Sequence, residues 1–131
     1  MPVFPGDALL ADVDRIALIK IDVEGGELEV IGGLVNTLRR CMPIVFCEIL
    51  PVFSDTTENG VFRKRRQEQL LATFHGLGYR VFRMMADETV VDLGSIEAHA
   101  DMALINYEFV PPAEQDAFRR LFRVSLQSAP A

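Results

Sequence analysis

A chain of 131 residues, half of them hydrophobic, can bury one small core and is too apolar to be intrinsically disordered. Thirteen basic and nineteen acidic residues give a net charge of −6, which argues against nucleic acid and anionic membranes as partners. No stretch approaches the roughly 20 apolar residues of a spanning helix, and no signal-peptide pattern opens the chain. Two cysteines, Cys41 and Cys47, are too few for a disulfide framework. We therefore expect one cytoplasmic domain over residues 1–131.

The first predicted elements are a short helical turn and a buried strand. Asp7 follows Pro5 and Gly6 and is predicted to cap that turn. Residues 16–21 then form an almost unbroken apolar run, which is typical of a strand buried on both faces of a parallel sheet. Lys20 interrupts this run, and since an unpaired buried lysine is costly, we expect it to pair with a carboxylate or to reach solvent at the strand end.

Carboxylates follow this strand at the point where it should end. Asp22 and Glu24 come first, Gly25 and Gly26 form a turn in which one glycine needs a positive φ, and Glu27 begins a helical pattern. If the chain were still extended, Asp22 and Glu24 would share a face and suit general-base chemistry. Ligands in open α/β sheets bind at the carboxyl ends of strands, so this edge is the candidate site.

The remaining elements alternate in the same way. One helix is predicted over residues 27–40, a second strand over 44–49 ending near Glu48, and a second helix over 61–77 closed by Gly78. A third strand (79–84), a short extended piece within 87–94, a fourth strand (102–107) and a last helix (113–127) follow. In that helix Phe118, Leu121, Phe122 and Ser125 are predicted to share one side. The basic run 63–66 is interpreted as a solvated helix face.

Three segments together resemble a known signature. Residues 19–27 read Ile-Lys-Ile-Asp-Val-Glu-Gly-Gly-Glu, residues 28–34 Leu-Glu-Val-Ile-Gly-Gly-Leu, and residues 43–48 Pro-Ile-Val-Phe-Cys-Glu. This order resembles the central signature of the FkbM-type methyltransferases, with similarity from about Asp7 to about Tyr107. The family's Gly-rich cofactor loop and acidic ribose-binding residue have no counterpart in the fifteen residues before Ile16. The chain resembles the carboxyl-terminal half of the domain.

The resemblance implies an α/β fold: half of a Rossmann-like sheet, mostly parallel with a final antiparallel strand pair and helices on both faces. It implies S-adenosylmethionine as cofactor and methyl transfer, with many relatives acting on hydroxyl groups. Asp22 would then contact the cofactor and, with Glu24, act in catalysis by orienting or deprotonating the acceptor hydroxyl. Glu27, Glu48 and Asn106 would contact a small-molecule or sugar acceptor. No metal set is predicted, although Asp22 and Glu24 could in principle share a cation.

Each of these residues also has a structural explanation. Asp22 could cap backbone amides at the strand end, Glu27 could stabilise the helix dipole, and Glu48 could be a solvated strand end. For the whole chain, the alternative is a non-catalytic half-domain. Its first strand would lack a neighbour and would pair with a second copy or with a chain that carries the cofactor half.

Overall fold

The computed structural model describes residues 2–127. The helices within this range are α1 to α5, which span Gly6–Leu9, Glu27–Gly32, Val35–Cys41, Glu58–Gly76 and Gln115–Leu121. The strands are β1 to β6, which span Leu18–Ile21, Ile44–Glu48, Arg80–Met84, Val90–Leu93, Asn106–Val110 and Val124–Leu126.

The six strands form one mixed sheet in the order β1-β2-β5-β3-β4-β6. The pairs β1–β2 and β4–β6 are parallel, and the other three pairs are antiparallel. The α/β class is confirmed, but the expectation of a mostly parallel sheet is wrong. The reason is that β5 enters between β2 and β3 and runs against both. The β3-to-β4 and β4-to-β5 connections, both inside the described range, contain no α-helix of the kind that a parallel crossover uses, and those strands accordingly run antiparallel to a neighbour.

The two faces of the sheet are covered unequally. Helices α2, α3 and α4 bury one face, where Leu38 and Phe74 join Val45 in the main core. On the opposite face, α5 packs Phe118 against Phe82 in a smaller core. No helix of the smaller core reaches β1 among the described residues, and β1 is an edge strand.

The sequence predicted that β1 is buried on both faces of the sheet. This prediction is wrong, because β1 is an edge strand with one exposed face. Leu18 is 62% exposed, and the Lys20 side chain is 58% exposed. Ile21, which points to the helix-covered face, is only 3% exposed. The apolar composition of this strand therefore reflects one core face and one open face.

The predicted helix over residues 27–40 is two helices, broken at Gly33 and Leu34. Gly33 accepts a hydrogen bond through its carbonyl from the Asp7 amide at 2.7 Å. Asp7 itself lies inside α1 and does not cap it. Its carboxylate instead accepts from the backbone amides of Asn36 (3.0 Å) and Thr37 (2.7 Å), and so caps α3 from 30 residues away.

Helix α4 has well-defined ends. It starts before the predicted position because the Thr57 hydroxyl accepts from the Gly60 amide at 3.1 Å. It ends in a Schellman arrangement, in which Gly78 has φ 84° and the Tyr79 amide donates to Phe74. The predicted role of Gly78 is confirmed. No helix within residues 2–127 combines the length and apolar character needed to cross a bilayer.

The predictions for the last third of the chain were partly wrong. The strand predicted at 102–107 begins at Asn106, after a 3₁₀ turn that the Asp101 carboxylate caps. The predicted final helix ends at Leu121, whose side chain is 80% exposed, and the chain then continues as β6 beside β4. Strand β6 forms hydrogen bonds with backbone groups of β4 that would otherwise be unpaired. The helical spacing of apolar residues in the sequence gives no sign of this pairing.

The Asp7 cap makes a direct prediction. Partial burial by itself would raise the pKa of Asp7, but hydrogen bonds from Thr37 and Asn36 hold that pKa below its ordinary value. Asp7→Ala should lower the free energy of unfolding by about 1 kcal/mol at neutral pH. Because the folded-state pKa is depressed, the difference should vanish as pH falls through it. Urea unfolding across pH measures this. Asp12→Ala is the exposed control, and equal losses in the two variants would contradict the cap.

Glu108 gives a prediction of opposite sign. It lies on the open face between Phe46 and Phe82 of the adjacent strands, and burial raises its pKa. Ionised Glu108 is therefore penalised in the folded state, so stability is greatest at acidic pH and declines as pH rises through the raised pKa. Glu108→Gln should stabilise the protein by roughly 1 kcal/mol at neutral pH and have little effect at about pH 4. Thermal unfolding is the measurement, with Glu97→Gln as the exposed control. A lower melting temperature of Glu108→Gln than of the unmodified protein at neutral pH would contradict this prediction.

Candidate functional site

Four polar residues lie close together where β1 and β2 end and β5 begins. We call Lys20, Asp22, Glu48 and Asn106 the strand-end cluster. Ile21 pairs with Cys47 in the parallel register, so Asp22 and Glu48 follow at the same level. Asn106 pairs with Glu48, because β5 runs antiparallel and starts where β2 ends. The structure thus brings together three of the predicted site residues.

Lys20 forms ion pairs with the carboxylates of both Asp22 and Glu48. Its Nζ lies 3.7 Å from Asp22 Oδ2 and 3.8 Å from Glu48 Oε1. This confirms the prediction that Lys20 pairs with a carboxylate. All three side chains are at least 30% exposed, and such ion pairs contribute at most about 1 kcal/mol each to stability. The arrangement therefore positions the carboxylates more than it stabilises the fold, and it leaves the cluster with one net negative charge.

The turn after Asp22 is not extended. Glu24 has φ 49° and Gly25 has φ 111°, so two successive residues adopt left-handed conformations. The positive φ predicted for one glycine is confirmed at Gly25. The strand alternation that would place Glu24 on the same face as Asp22 stops before Glu24, and Glu24 is exposed on the turn. A left-handed non-glycine residue is strained, which is common at functional turns.

Glu27 lies beneath this turn. Its side chain is in the first turn of α2, the residue is only 7% exposed, and Oε1 accepts from the Gly25 amide at 2.7 Å. The carboxylate thus holds the turn in its closed shape. It also leaves its second oxygen available to a ligand, so the structural role and the predicted substrate contact are compatible.

Cys47 is surrounded by these acids. Burial, together with the nearby negative charges of Glu27, Glu48 and Asp22, raises the pKa of the Cys47 thiol to about 12. The thiol is therefore protonated at physiological pH and is a poor nucleophile. Cys47 pairs with Ile21 in the parallel register, so Glu48 and Asp22 directly follow these two residues.

Arg66 is a contact that sequence reasoning missed. It donates to the Gly25 carbonyl at 3.3 Å and to the Glu29 carboxylate at 2.5 Å. Its side chain is 25% exposed, so the interpretation of residues 63–66 as a wholly solvated face is wrong at this position. The contact joins residues 41 positions apart, and no local pattern could have indicated it.

Metal ligation has no support in this part of the chain. Among residues 2–127, no group of three or more histidine, cysteine, aspartate or glutamate side chains is arranged to hold an ion. The strand-end cluster also contains a lysine ammonium where a cation would have to sit. The site is therefore a pair of carboxylates, Asp22 and Glu48, with the Lys20 ammonium between them.

Comparison with protein families gives a match over the first part of the chain. The family model for the methyltransferase FkbM domain matches residues 2–81. This stretch contains Asp22, Glu24, Glu27 and Glu48 but ends before Asn106. No curated protein and no solved structure matches the chain.

The surroundings of Cys47 predict selective thiol reactivity. At about pH 8, iodoacetamide should alkylate the partly exposed Cys41 and leave Cys47 unmodified. In denaturing urea both thiols should react at similar rates. Peptide mass spectrometry distinguishes the two sites. Equal modification of both cysteines in the folded protein would contradict the buried position of Cys47.

Proposed function

The chain belongs to the FkbM methyltransferase family, and from this membership we propose that it serves methyl transfer from S-adenosylmethionine to a hydroxyl oxygen of a small molecule or sugar. The observation that carries the proposal is the strand-end cluster. Its carboxylates lie at the carboxyl ends of two parallel strands, the edge at which ligands bind in α/β sheets.

The residues present fit one side of a cofactor site. S-adenosylmethionine carries a positive sulfonium, and the cluster carries one net negative charge at a solvent-accessible edge. Asp22 is the residue that would hold the cofactor. When bound, the cofactor supplies an electrophilic methyl group.

The proposed work of the chain's own residues is positioning and proton transfer. Asp22 would accept a hydrogen bond from the acceptor hydroxyl and take up its proton when that oxygen is methylated. Lys20 fixes the orientation of Asp22 and Glu48 through its two ion pairs. The Asn106 amide beside Glu48 can orient a neighbouring hydroxyl of the acceptor. Holding the reacting oxygen in place supplies much of the rate in such a reaction.

Glu24 and Glu27 have different places in this proposal. Glu24, exposed on the left-handed turn two residues after Asp22, is assigned to the acceptor side of the site. Glu27, buried under the same turn, keeps the Gly25 amide in position and presents its second oxygen to the acceptor. The turn and the strand ends then act as one unit.

A second candidate function is a non-catalytic half-domain that pairs through β1. Strand β1 is hydrogen-bonded to β2 alone within the described sheet, and Leu18 is 62% exposed on its open face. An unpaired apolar edge strand is a common pairing surface. The partner would be a second copy of the chain or a protein that contributes the cofactor half.

Isothermal titration calorimetry with S-adenosylmethionine distinguishes the two functions. The first predicts saturable binding to the purified chain at roughly micromolar affinity, with S-adenosylhomocysteine binding comparably. Asp22→Asn should weaken binding by about tenfold or more, because it removes the negative charge that faces the sulfonium.

The variants are interpretable because Asp22 is 46% exposed and its ion pair contributes little to stability. Asp12→Asn is the matched control, since Asp12 is exposed and lies before β1. If the folded chain shows no heat of binding with either ligand, catalysis by this chain alone is refuted and the half-domain is supported. Equal binding by Asp22→Asn would remove Asp22 from the cofactor site.

A further inference from the structure

The connection between β4 and β5, residues 94–105, is held in place by contacts with distant parts of the chain. The His99 backbone amide donates to the Val52 carbonyl, in the segment after β2, at 2.9 Å. Lys64 of α4 donates through its ammonium to the Ile96 carbonyl, and the Ile96 side chain is only 1% exposed in the main core. The closed position of this connection therefore depends on a small number of tertiary contacts, one of which His99 makes.

The imidazole of His99 is enclosed without a hydrogen bond. Both ring nitrogens are buried, and neither has a hydrogen-bond partner among the residues that the structure describes. A neutral imidazole carries one donor and one acceptor, whereas an imidazolium carries two donors and a positive charge. Protonation would therefore add a charge and an unpaired donor to a buried ring, and each of these costs free energy. The closed connection accommodates the neutral ring better than the charged ring.

Two charged groups act on this ring, Arg83 on β3 and Asp101 before the 3₁₀ turn. The Arg83 guanidinium is fixed by Tyr107, because its Nη2 donates to the Tyr107 hydroxyl at 3.1 Å and its Cζ lies 5.3 Å from that ring centroid. The Asp101 carboxylate accepts from the Ala103 amide at 2.9 Å. Burial and the positive charge of Arg83 lower the pKa of His99 from its ordinary value of 6.5, against the opposite effect of Asp101. A fixed cation thus opposes a second positive charge on the ring.

We propose that His99 is a pH-sensitive switch, whose protonation opens the β4–β5 connection by breaking the hydrogen bond from the His99 amide to the Val52 carbonyl. In the open connection the imidazolium is hydrated and no longer lies near Arg83. Because the pKa of His99 is lowered in the closed chain, the switch stabilises the closed connection fully above the ordinary histidine pKa. That stabilisation is lost as pH falls through the lowered pKa.

The β4–β5 connection leads directly into the strand-end cluster. The Ile49 amide donates to the Ile105 carbonyl at 2.9 Å, and Asn106 is the next residue. Asn106 in turn pairs with Glu48. Opening of the connection therefore loosens the attachment of Asn106 to this edge of the sheet. A role in regulating ligand binding rests on the proposed function, whereas the opening itself is measured without any cofactor, so the two can fail separately.

Native-state hydrogen exchange, followed by NMR, tests the switch at the His99 amide itself. Once the intrinsic exchange rate is divided out, the protection of this amide reports how often the connection opens. Between the ordinary and the lowered pKa of His99, protection should fall by about tenfold for each unit by which the pH decreases. His99→Gln cannot become charged, so the amide at position 99 should keep a constant protection. The matched control is His75→Gln, which changes an exposed residue of α4 and should retain the fall.

A second pair of variants changes the charge that faces the ring. Arg83→Gln removes the cation and keeps a donor for the Tyr107 hydroxyl, so the His99 ring should titrate about half a pH unit higher. Arg65→Gln, at an exposed position of α4, should leave this titration unchanged. The ring carbon shifts of His99 measure it. Protection at position 99 that is independent of pH would overturn the proposal, as would an equal fall in His99→Gln. An unchanged or lower ring titration in Arg83→Gln would overturn it too.

Discussion

The parallel register of β1 and β2 is the constraint on which the whole site depends. Ile21 lies beside Cys47, so the residues that follow each strand emerge at one level of the sheet edge. A slip of one residue would turn Asp22 to the opposite face and separate it from Lys20 and Glu48. Helices α2 and α3 make this pairing possible, because a parallel neighbour requires a crossover.

The antiparallel strand β5 places its first residue at this edge of the sheet, whereas a parallel strand would place its last residue there. Its first residue, Asn106, is delivered beside Glu48, and Glu108 is placed on the open face. The helix-covered face holds the stable core, whereas the open face carries a half-buried acid and the exposed Leu18. The main core therefore lies on one face of the sheet, and the strand-end cluster lies at its carboxyl edge.

The sequence predicted features that follow from local patterns or from neighbouring strands. The convergence of Asp22 and Glu48 followed from two parallel strands, and the conformation of Gly25 from turn chemistry. Contacts between distant segments were not predictable. The cap that Asp7 provides depends on α1 meeting α3, and the hydrogen bond from Gln67 to the Leu50 carbonyl depends on α4 folding over the segment after β2. Such contacts arise from the packing of segments that are far apart in the sequence, and no local sequence pattern indicates them.

The central claim is that the ends of β1 and β2 form the ligand-binding edge. The most direct test is a map of backbone amide shifts during titration with S-adenosylhomocysteine. The account predicts that the largest changes fall on residues 22–25, on 48–50 and on Asn106, with little change near the smaller core around Phe118. Saturable shifts centred on any other surface, with the strand ends unaffected, would contradict it.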